Sequence, residues 1–391
     1  MFSSRVPSEI TPNAVSQLRR RLERDGVPVL DLTETNPTAI AGAYPLELLR
    51  PLCDPRGRRY APEPFGVMEA REAVAAAYGR QRTPVPADRI VLTASTSEAY
   101  ALLFKLLCDP GDEVLTPQPS YPLFDLLTRL EGVQVQPYRL EYHGLWSIDR
   151  ASLAAALTPR TRALLVVSPN NPTGSMLRAD DREWLVQLAA SRETAIICDE
   201  VFADYPLAPR GDAVSAAGEP RVLTFSLGGL SKSAGLPQVK LGWIAVSGPD
   251  ALVEAALARL ELICDTYLSV STPVQLALPS LMDAGLSIRA HITERLRQNL
   301  AELRRAVGAY PAVSVIEPEG GWSVVLQVPA LMTEEALVLR LLEDAHVLVH
   351  PGYFFDFDRE AFLVLSLLGE PAMFSEALDR LLPIATGAAR P

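Results

Sequence analysis

The chain has 391 residues, of which 48% are hydrophobic and 21% are charged, and its formal net charge is −11. This length is too great for one hydrophobic core and suits two domains, while the composition is that of an ordinary globular protein. A net negative chain without a basic run is a poor partner for nucleic acid, whose phosphates need a positive surface. We therefore expect a globular protein with no nucleic-acid partner.

The four cysteines and the N-terminal segment bear on location. The cysteines are far apart in the sequence and form no C-x-x-C pair: Cys53, Cys108, Cys198 and Cys264. This usage is typical of buried thiols in a reducing compartment. The N-terminal segment MFSSRVPSEITPN lacks the apolar stretch of a secretory signal, and no apolar run in the sequence reaches membrane-spanning length. These features predict a cytoplasmic protein with no membrane partner.

Short apolar runs alternate with amphipathic stretches between about residues 60 and 250. Such alternation favours crossover units on a mainly parallel sheet covered on both faces by helices. The predicted strands are Arg89–Thr93, Glu113–Thr116, Gln134–Tyr138, Arg162–Val167, Thr194–Cys198, Val222–Ser226 and Leu241–Val246. The predicted helices between them include Glu69–Tyr78, Glu98–Leu107 and Arg182–Ala190. Because ligands bind beyond the carboxyl ends of parallel strands, the loops that follow these strands are the candidate site.

The C-terminal part mixes helices with strands. Residues 250–307 have a helical pattern with a break at Tyr267–Pro273. Strands follow at Val313–Ile316, Ser323–Gln327 and Phe362–Leu367, and helices at Glu334–Glu343 and Phe374–Leu382. We therefore predict an N-terminal arm that joins the small domain (residues 1–45), a large α/β domain (46–284) and a small α+β domain (285–391).

The first candidate motif is the segment LTASTSEAY, residues 92–100, which follows a predicted strand and opens a helix. Ser95 and Glu98 fit a capping box, which places a helix N-terminus here. Free amides, the helix dipole and the hydroxyls of Thr96 and Ser97 would suit a phosphate group. Capping boxes are common, so this segment alone is better explained by an ordinary helix start.

Two further motifs end predicted strands. The segment SPNNPTG, residues 168–174, could aim the amide of Asn171 at a carbonyl or phenolic oxygen, although Pro/Asn/Gly turns also occur without function. Asp199, in CDEVFADY, ends an apolar run and would lie at the carboxyl edge of the sheet. A carboxylate there could keep a pyridine nitrogen protonated, or could simply cap a helix.

The fourth motif, SLGGLSKSAGLPQVKLGW, is centred on Lys232. A lysine among small residues after a strand is poorly explained as a solvated surface charge. Desolvation and a nearby cation can lower the pKa of such an amine, which then attacks carbonyls. Lys240, eight residues further on, would supply a second positive charge for a phosphate.

Together, these four segments resemble the class I/II aminotransferases of pyridoxal-phosphate (PLP) fold type I, and the likeness runs from about Asn36 to Leu367. The resemblance implies a three-layer large domain, a smaller α+β domain and PLP as the cofactor. It implies that Lys232 forms the Schiff base, that Asp199 pairs with the pyridine nitrogen and that Asn171 faces the phenolic oxygen. The remaining implied contacts are the stacking residue Tyr121, the phosphate residues Thr96, Ser97, Ser231 and Lys240, and the pocket residues Thr35, Asn36 and Trp322. Tyr60 matches a tyrosine that reaches the phosphate of a neighbouring subunit, which implies a homodimer with shared active sites.

The sequence departs from the family pattern at four positions. Phe202 stands where a tyrosine usually contacts the phenolic oxygen, and losing that donor is expected to raise the pKa of the Schiff base. Gly229 replaces a phosphate-binding serine, and Lys240 replaces an arginine, keeping the charge without the bidentate fork. Val364 stands where an arginine usually binds the substrate carboxylate. Arg359, His350 and Lys240 are candidates to replace it; alternatively, the amine donor lacks a conventionally placed carboxylate, and Arg359 is a surface residue.

The resulting functional prediction is an aminotransferase. It would move an amino group from an amino acid or amine to a 2-oxo acid by a ping-pong route through Lys232, and an enzyme of this kind is expected to serve a biosynthetic process. The alternatives are a carbon–sulfur lyase of the same fold, which eliminates a β-substituent, and a non-catalytic PLP-binding module. The four histidines show no metal-ligand spacing, so no metal is expected.

Overall fold

A computed structural model describes residues 2–8, 11–40, 42–81, 83–209 and 211–387. Eleven α-helices are present in this part of the chain. They are α1 (Ala14–Arg24), α2 (Met68–Arg80), α3 (Thr96–Leu107), α4 (Leu123–Glu131), α5 (Arg150–Ala156), α6 (Ala179–Arg192), α7 (Leu230–Ser233), α8 (Asp250–Tyr267), α9 (Thr272–Val307), α10 (Glu334–Asp344) and α11 (Pro371–Thr386). Short 3₁₀ turns lie at Pro37–Ala39, Leu46–Cys53, Pro55–Arg58, Ala87–Arg89 and Gly352–Phe355.

The same residues form fourteen strands. They are β1 (Leu30–Asp31), β2 (Ile90–Thr93), β3 (Glu113–Gln118), β4 (Gln134–Tyr142), β5 (Trp146–Ile148), β6 (Thr161–Val167), β7 (Ala195–Asp199), β8 (Thr224–Gly229), β9 (Gly242–Ser247), β10 (Ser314–Ile316), β11 (Ser323–Gln327), β12 (Val347–Leu348), β13 (His350–Pro351) and β14 (Phe362–Ser366). Each of the predicted strands corresponds to one of these. The strand expected at Val222–Ser226 begins and ends later, at Thr224 and Gly229, because the ladder with β9 continues through both glycines.

The central sheet has eight strands in the order β2-β9-β8-β7-β6-β3-β4-β5. Strands β3, β4, β6, β7 and β8 are parallel, whereas β9 runs antiparallel to both β2 and β8. Helices α3 and α8 pack on one face and α5 and α6 on the other, with apolar clusters on each side. This confirms the predicted three-layer, mainly parallel α/β architecture, whose central strands are apolar on both faces because both are covered.

The four predicted motifs reach the same edge of this sheet. Strand β2 runs in the same direction as β8, because each is antiparallel to β9. The carboxyl ends of β2, β6, β7 and β8 therefore all lie at one edge, followed by the four motifs. The fold thus places the candidate site where open α/β sheets bind ligands.

A smaller sheet, in the order β10-β11-β14-β13, forms the second unit. The N-terminal arm joins this unit through a separate two-stranded sheet, in which β1 pairs in parallel with β12. Helices α8 and α9 are separated at Leu268–Ser271, within the predicted break. The predicted domain boundary between residues 284 and 285 falls inside α9, which runs unbroken from Thr272 to Val307. None of the helices within the described ranges is both long and apolar enough to cross a membrane.

Candidate active site

Lys232 lies on the one-turn helix α7, directly after β8. Its Nζ is 4.4 Å from the ring centroid of Trp322 and 5.4 Å from that of Phe202. Burial lowers the pKa of Lys232 to about 8, and the negative charge of Asp199 acts in the opposite direction. An amine in such surroundings is partly neutral near pH 8 and can act as a nucleophile or a base.

Asp199 ends β7 and is 7% exposed. The Tyr100 hydroxyl donates to its Oδ2 at 2.8 Å, and the backbone N–H of Val201 donates to its Oδ1 at 3.1 Å. Burial raises the pKa of Asp199, while these two donors and the charge of Lys232 oppose that rise. A carboxylate buried in this way favours a cationic partner.

The predicted phosphate loop is a helix N-terminus, as the capping box indicated. The Glu98 N–H donates to Ser95 Oγ at 3.1 Å, and the Ala94 N–H donates to the Glu98 carboxylate at 2.5 Å. A Cβ built on Gly229 would lie 3.7 Å from Thr96 Cγ2. The segment that carries Lys232 therefore packs directly against the first turn of α3, where free amides favour an anion.

Glycine is needed at two places in this packing. A Cβ on Gly242 would lie 2.9 Å from the Ser95 carbonyl carbon and 3.0 Å from the Thr96 nitrogen, too close for either backbone atom. A Cβ on Gly228 would lie 2.6 Å from the Trp243 ring. Between α7 and β9, Lys240 is exposed and has a φ of 59°. Gly242 is needed because β9 passes close to the N-terminus of α3, and Gly228 because the Trp243 ring lies against β8.

Asn171 lies in the loop after β6. The Ser323 hydroxyl donates to Asn171 Oδ1 at 3.4 Å, so the orientation of the amide is linked to the small domain. The neighbouring Asn170 donates to the Pro119 carbonyl at 3.0 Å and to Thr173 Oγ1 at 2.9 Å. Because Pro119 precedes Tyr121 by two residues, the same loop braces the segment of Tyr121, whose side chain is 45% exposed.

Tyr60, Thr35 and Asn36 are among the predicted site residues that are exposed in the chain on its own. Tyr60 is 77% exposed. Thr35 and Asn36 are also exposed, and Asn36 accepts from the Thr38 N–H at 3.1 Å at the start of a 3₁₀ turn. These residues are therefore available for contact with another molecule. Trp322, in contrast, is only 2% exposed, and its ring contacts the amine of Lys232.

Val364, the position of the missing arginine, belongs to an apolar wall. It is 2% exposed and packs in a cluster with Trp146, Ile316, Val325, Phe355 and Phe362. Val364 pairs with His350 and Val325 across the small sheet, and Ser366 pairs with Ser323. Val364 and Ser366 lie on the same face of the sheet because side chains alternate along a strand. Ser323, which pairs with Ser366, also contacts Asn171, so the apolar wall adjoins Asn171.

Two candidate cations flank the wall. Burial lowers the pKa of His350 below its ordinary value, so this imidazole is neutral at pH 7. Arg359 is exposed, and its guanidinium lies 5.3 Å from the centroid of the Phe362 ring. An arginine stays protonated at any working pH. Of these two groups, only Arg359 would be charged at neutral pH.

Sequence reasoning missed two contacts of the site. The Tyr205 hydroxyl donates to the main-chain oxygen of Lys232 at 2.6 Å, and Tyr100 donates to Asp199 across 99 positions of the chain. Both tyrosines lie in motifs quoted above, LTASTSEAY and CDEVFADY, but neither motif indicates which residue the hydroxyl contacts. Within the described ranges, no group of three or more histidine, cysteine or acidic side chains is arranged to hold a metal ion.

The arrangement fits PLP. A protonated pyridine nitrogen would provide the positive charge that the buried Asp199 carboxylate favours. A phosphate would bind at the first turn of α3, beside Gly229. Lys232 lies next to both groups, since its charge acts on Asp199 and its helix follows Gly229. Residues that could hold an aldehyde, a pyridine and a phosphate are thus present at one sheet edge.

Comparison with known proteins gives the same assignment. The family described as "Aminotransferase class I and II" matches residues 35–381. The alanine aminotransferase of Mycobacterium tuberculosis strain H37Rv is 29% identical over 380 residues, covering 94% of this chain and 88% of that protein. The glutamate-pyruvate aminotransferase AlaA of Escherichia coli K12 is 27% identical over 347 residues, covering 86% and 85%.

Solved structures agree with this result. The alanine aminotransferase from Pyrococcus furiosus superposes with a TM-score of 0.89 at 25% identity, covering 98% of this chain and 99% of that one. An Escherichia coli aminotransferase superposes with a TM-score of 0.88 at 25% identity, covering 99% and 98%. These matches extend over both sheets, as did the predicted likeness. The chain belongs to the class I and II aminotransferases, a family of PLP-dependent transferases.

Proposed function

We propose that this aminotransferase uses Lys232 to hold PLP as a Schiff base and to move the proton during transfer. The observation that carries the proposal is the amine itself, which lies against Trp322 and Phe202 and whose pKa is lowered to about 8. When bound, PLP supplies an electron sink for the negative charge that develops at the substrate carbon. Lys232 would be displaced by the substrate amine, and its neutral Nζ would then accept the proton from the substrate Cα.

The other residues would hold and orient the cofactor. Asp199 would keep the pyridine nitrogen protonated, and the Asn171 amide would donate to the phenolic oxygen. Tyr121 would stack on the ring. The phosphate would be bound by Thr96, Ser97, Ser231 and Lys240. Support comes from the capped N-terminus of α3, its close packing against Gly229 and the burial of Asp199.

The substrates would be an α-amino acid and a 2-oxo acid. The names of the relatives, alanine aminotransferase and glutamate-pyruvate aminotransferase, make L-alanine, L-glutamate and pyruvate the first compounds to test. Arg359 would replace the missing arginine, because it lies over Phe362 at the border of the wall and keeps its charge. Thr35, Asn36 and Trp322 would line the pocket.

The active enzyme would be a homodimer with shared sites, in which Tyr60 reaches the phosphate bound by the other subunit. The 77% exposure of Tyr60 supports this role, since the side chain is available to a second copy. Mixing Lys232→Ala with Tyr60→Ala subunits tests it. Heterodimers would contain one intact site, so random reassociation should restore about a quarter of the wild-type activity. The cytoplasmic location, the biosynthetic role and the domain bounds stay predictions.

Trapping the lysine tests the central proposal. The sequence contains three lysines, Lys105, Lys232 and Lys240, so borohydride reduction of the PLP-loaded protein followed by peptide mass spectrometry has few alternatives to resolve. We expect label on Lys232 alone. Lys105→Ala is the control, because Lys105 is bound to Glu131 at 2.7 Å. Label on Lys105 or Lys240 in native protein would contradict the proposal.

A single-turnover experiment tests the reaction type. With an amine donor and no acceptor, an aminotransferase releases one oxo product per site and then stops, without ammonia. Addition of a 2-oxo acid should restore the starting absorbance and release the new amino acid. Continuous release of ammonia without an acceptor would indicate a lyase instead.

A further inference from the structure

We infer that Tyr100 is a positioning residue for Asp199. Its hydroxyl would hold the carboxylate so that the proton between Asp199 and the pyridine nitrogen of the cofactor stays on the nitrogen. The inference rests on the proposed role of Asp199. The Tyr100 hydroxyl donates to Asp199 Oδ2 at 2.8 Å. The two residues are 3% and 7% exposed. A hydrogen bond in such surroundings is stronger than in water and is not exchanged for a bond to solvent.

The ring of Tyr100 packs against two phenylalanine rings. Its centroid is 5.3 Å from that of Phe124 in an edge-to-face contact and 6.0 Å from that of Phe104. Burial and the nearby Asp199 raise the pKa of Tyr100 well above 10, so the hydroxyl keeps its proton and can only donate to the carboxylate. The helix that carries Tyr100 also provides the phosphate loop at its N-terminus. One helix would therefore set both the phosphate and the carboxylate that contacts the ring nitrogen.

The electrostatic consequence follows from the burial of Asp199. In a dry environment a neutral pair, with the proton on the carboxylate, competes with the ion pair in which the ring nitrogen is protonated. Donors to the carboxylate stabilise its charged form and so favour the ion pair. Asp199 has one such donor on each oxygen, Val201 N–H on Oδ1 and Tyr100 on Oδ2. Removing the Tyr100 donor would shift the proton from the ring toward Asp199 and weaken the electron sink.

The variant Tyr100→Phe, which keeps the ring and removes the donor, tests this in the PLP-loaded enzyme. The direct measurement is the ¹⁵N chemical shift of the ring nitrogen in labelled PLP at neutral pH. We expect the shift to move toward the unprotonated value, and kcat to fall by about tenfold while KM changes by less than about threefold. Tyr78→Phe is the matched control, because Tyr78 is also buried but its hydroxyl accepts from Trp243 Nε1 at 3.3 Å.

Asp199→Asn separates this inference from the proposal on which it rests. If that variant leaves the ¹⁵N shift unchanged, the role of Asp199 fails, whatever Tyr100 does. If Asp199→Asn moves the shift but Tyr100→Phe matches Tyr78→Phe in both shift and kcat, only the inference about Tyr100 is overturned. Should Tyr100→Phe not fold, 3-fluorotyrosine placed at position 100 keeps the packing and strengthens the donor, and the shift should move in the opposite direction.

Discussion

The side-chain hydroxyl of Tyr205 donates a hydrogen bond of 2.6 Å to the main-chain oxygen of Lys232. The Tyr205 ring is fully buried and stands edge-to-face against Trp322, with the centroids 5.1 Å apart. Trp322 in turn lies 4.4 Å from the amine of the same lysine. The pair therefore contacts both ends of Lys232, its backbone through a hydrogen bond and its Nζ through an aromatic face.

Removing this bond should affect both stability and activity. Tyr205→Phe is expected to lower the free energy of unfolding by about 1 kcal/mol, since one buried hydrogen bond is lost while the ring is kept. It should also lower kcat, because the turn that carries Lys232 is less well held. Tyr138→Phe is the matched control: its hydroxyl donates to the Leu165 carbonyl at 2.8 Å, away from Lys232. Urea titration and steady-state kinetics would check both, and equal effects of the two variants on kcat would contradict the prediction.

The rate at which the cofactor-free protein takes up PLP should depend on pH through Lys232. The amine must be neutral to attack the aldehyde, and burial lowers its pKa to about 8 from an ordinary 10.5. The rate should therefore rise with pH and level off above about 8. Because Asp199 raises the pKa of Lys232, Asp199→Asn should move the midpoint lower. Stopped-flow absorbance across a pH series measures it, and a midpoint near 10.5 would exclude a desolvated lysine.

The sheet edge and its four motifs were predictable because they depend on local sequence. Asp199 and Lys232 each end or follow a short apolar run, and parallel strands bring such ends together whatever the details of the loops. The capping box at Ser95 is likewise a local pattern with a definite structure. The interruption of the helical pattern at Tyr267–Pro273 likewise predicted the break between α8 and α9.

The contacts that tune the site were not predictable in this way. Tyr100 reaches Asp199, and Ser323 reaches Asn171 across 152 positions, through tertiary packing that no spacing encodes. The short strand β1 was also missed, because two residues show no periodicity and its pairing partner β12 lies near the other end of the chain. The boundary predicted between residues 284 and 285 lies within α9, and it stays a prediction.

Phe202→Tyr should lower the pKa of the Schiff base in the PLP-loaded enzyme. The Phe202 ring lies 5.4 Å from Lys232 Nζ, and a hydroxyl on it would add a donor to the phenolic oxygen. A hydrogen bond to a charged group is worth about 1.5–3 kcal/mol, which corresponds to a decrease of about 1–2 pKa units. Spectrophotometric titration would measure the change. Phe202→Leu is the control, because it changes the packing at this position without adding a hydroxyl. If the pKa falls in Phe202→Tyr but not in Phe202→Leu, the hydroxyl is the cause.

Arg359→Ala should weaken binding of substrates that carry a carboxylate. If Arg359 provides the charge that Val364 cannot, KM for L-alanine should rise by about tenfold or more, and Arg359→Lys should recover part of the loss. The KM of an amine without a carboxylate should not change. Arg340→Ala, which removes another arginine of the small domain, is the control. Equal KM values for wild type and Arg359→Ala would leave Arg359 as a surface residue.

The loop that carries Arg359 is tied at both ends to one buried carboxylate. Glu334, in the first turn of α10, is 2% exposed. Its Oε2 accepts from the Tyr353 N–H at 2.9 Å and its Oε1 from the Phe362 N–H at 2.7 Å. The two donors bracket the loop, so Glu334 would fix the position of Arg359 against the small sheet without contacting it.

Glu334→Gln should loosen this loop. The amide can accept with its oxygen only, so at least one of the two N–H groups loses its partner, at a cost of about 1–3 kcal/mol if it is the buried N–H of Phe362. We expect a lower free energy of unfolding, faster hydrogen exchange at the amides of Tyr353 and Phe362, and a higher KM for L-alanine. Glu335→Gln removes the neighbouring carboxylate from the same helix turn, but that side chain is exposed. Both variants remove one carboxylate from the first turn of α10, so Glu335→Gln controls for the loss of charge at the helix terminus. If the amides of Tyr353 and Phe362 exchange no faster in Glu334→Gln than in Glu335→Gln, Glu334 does not hold the loop.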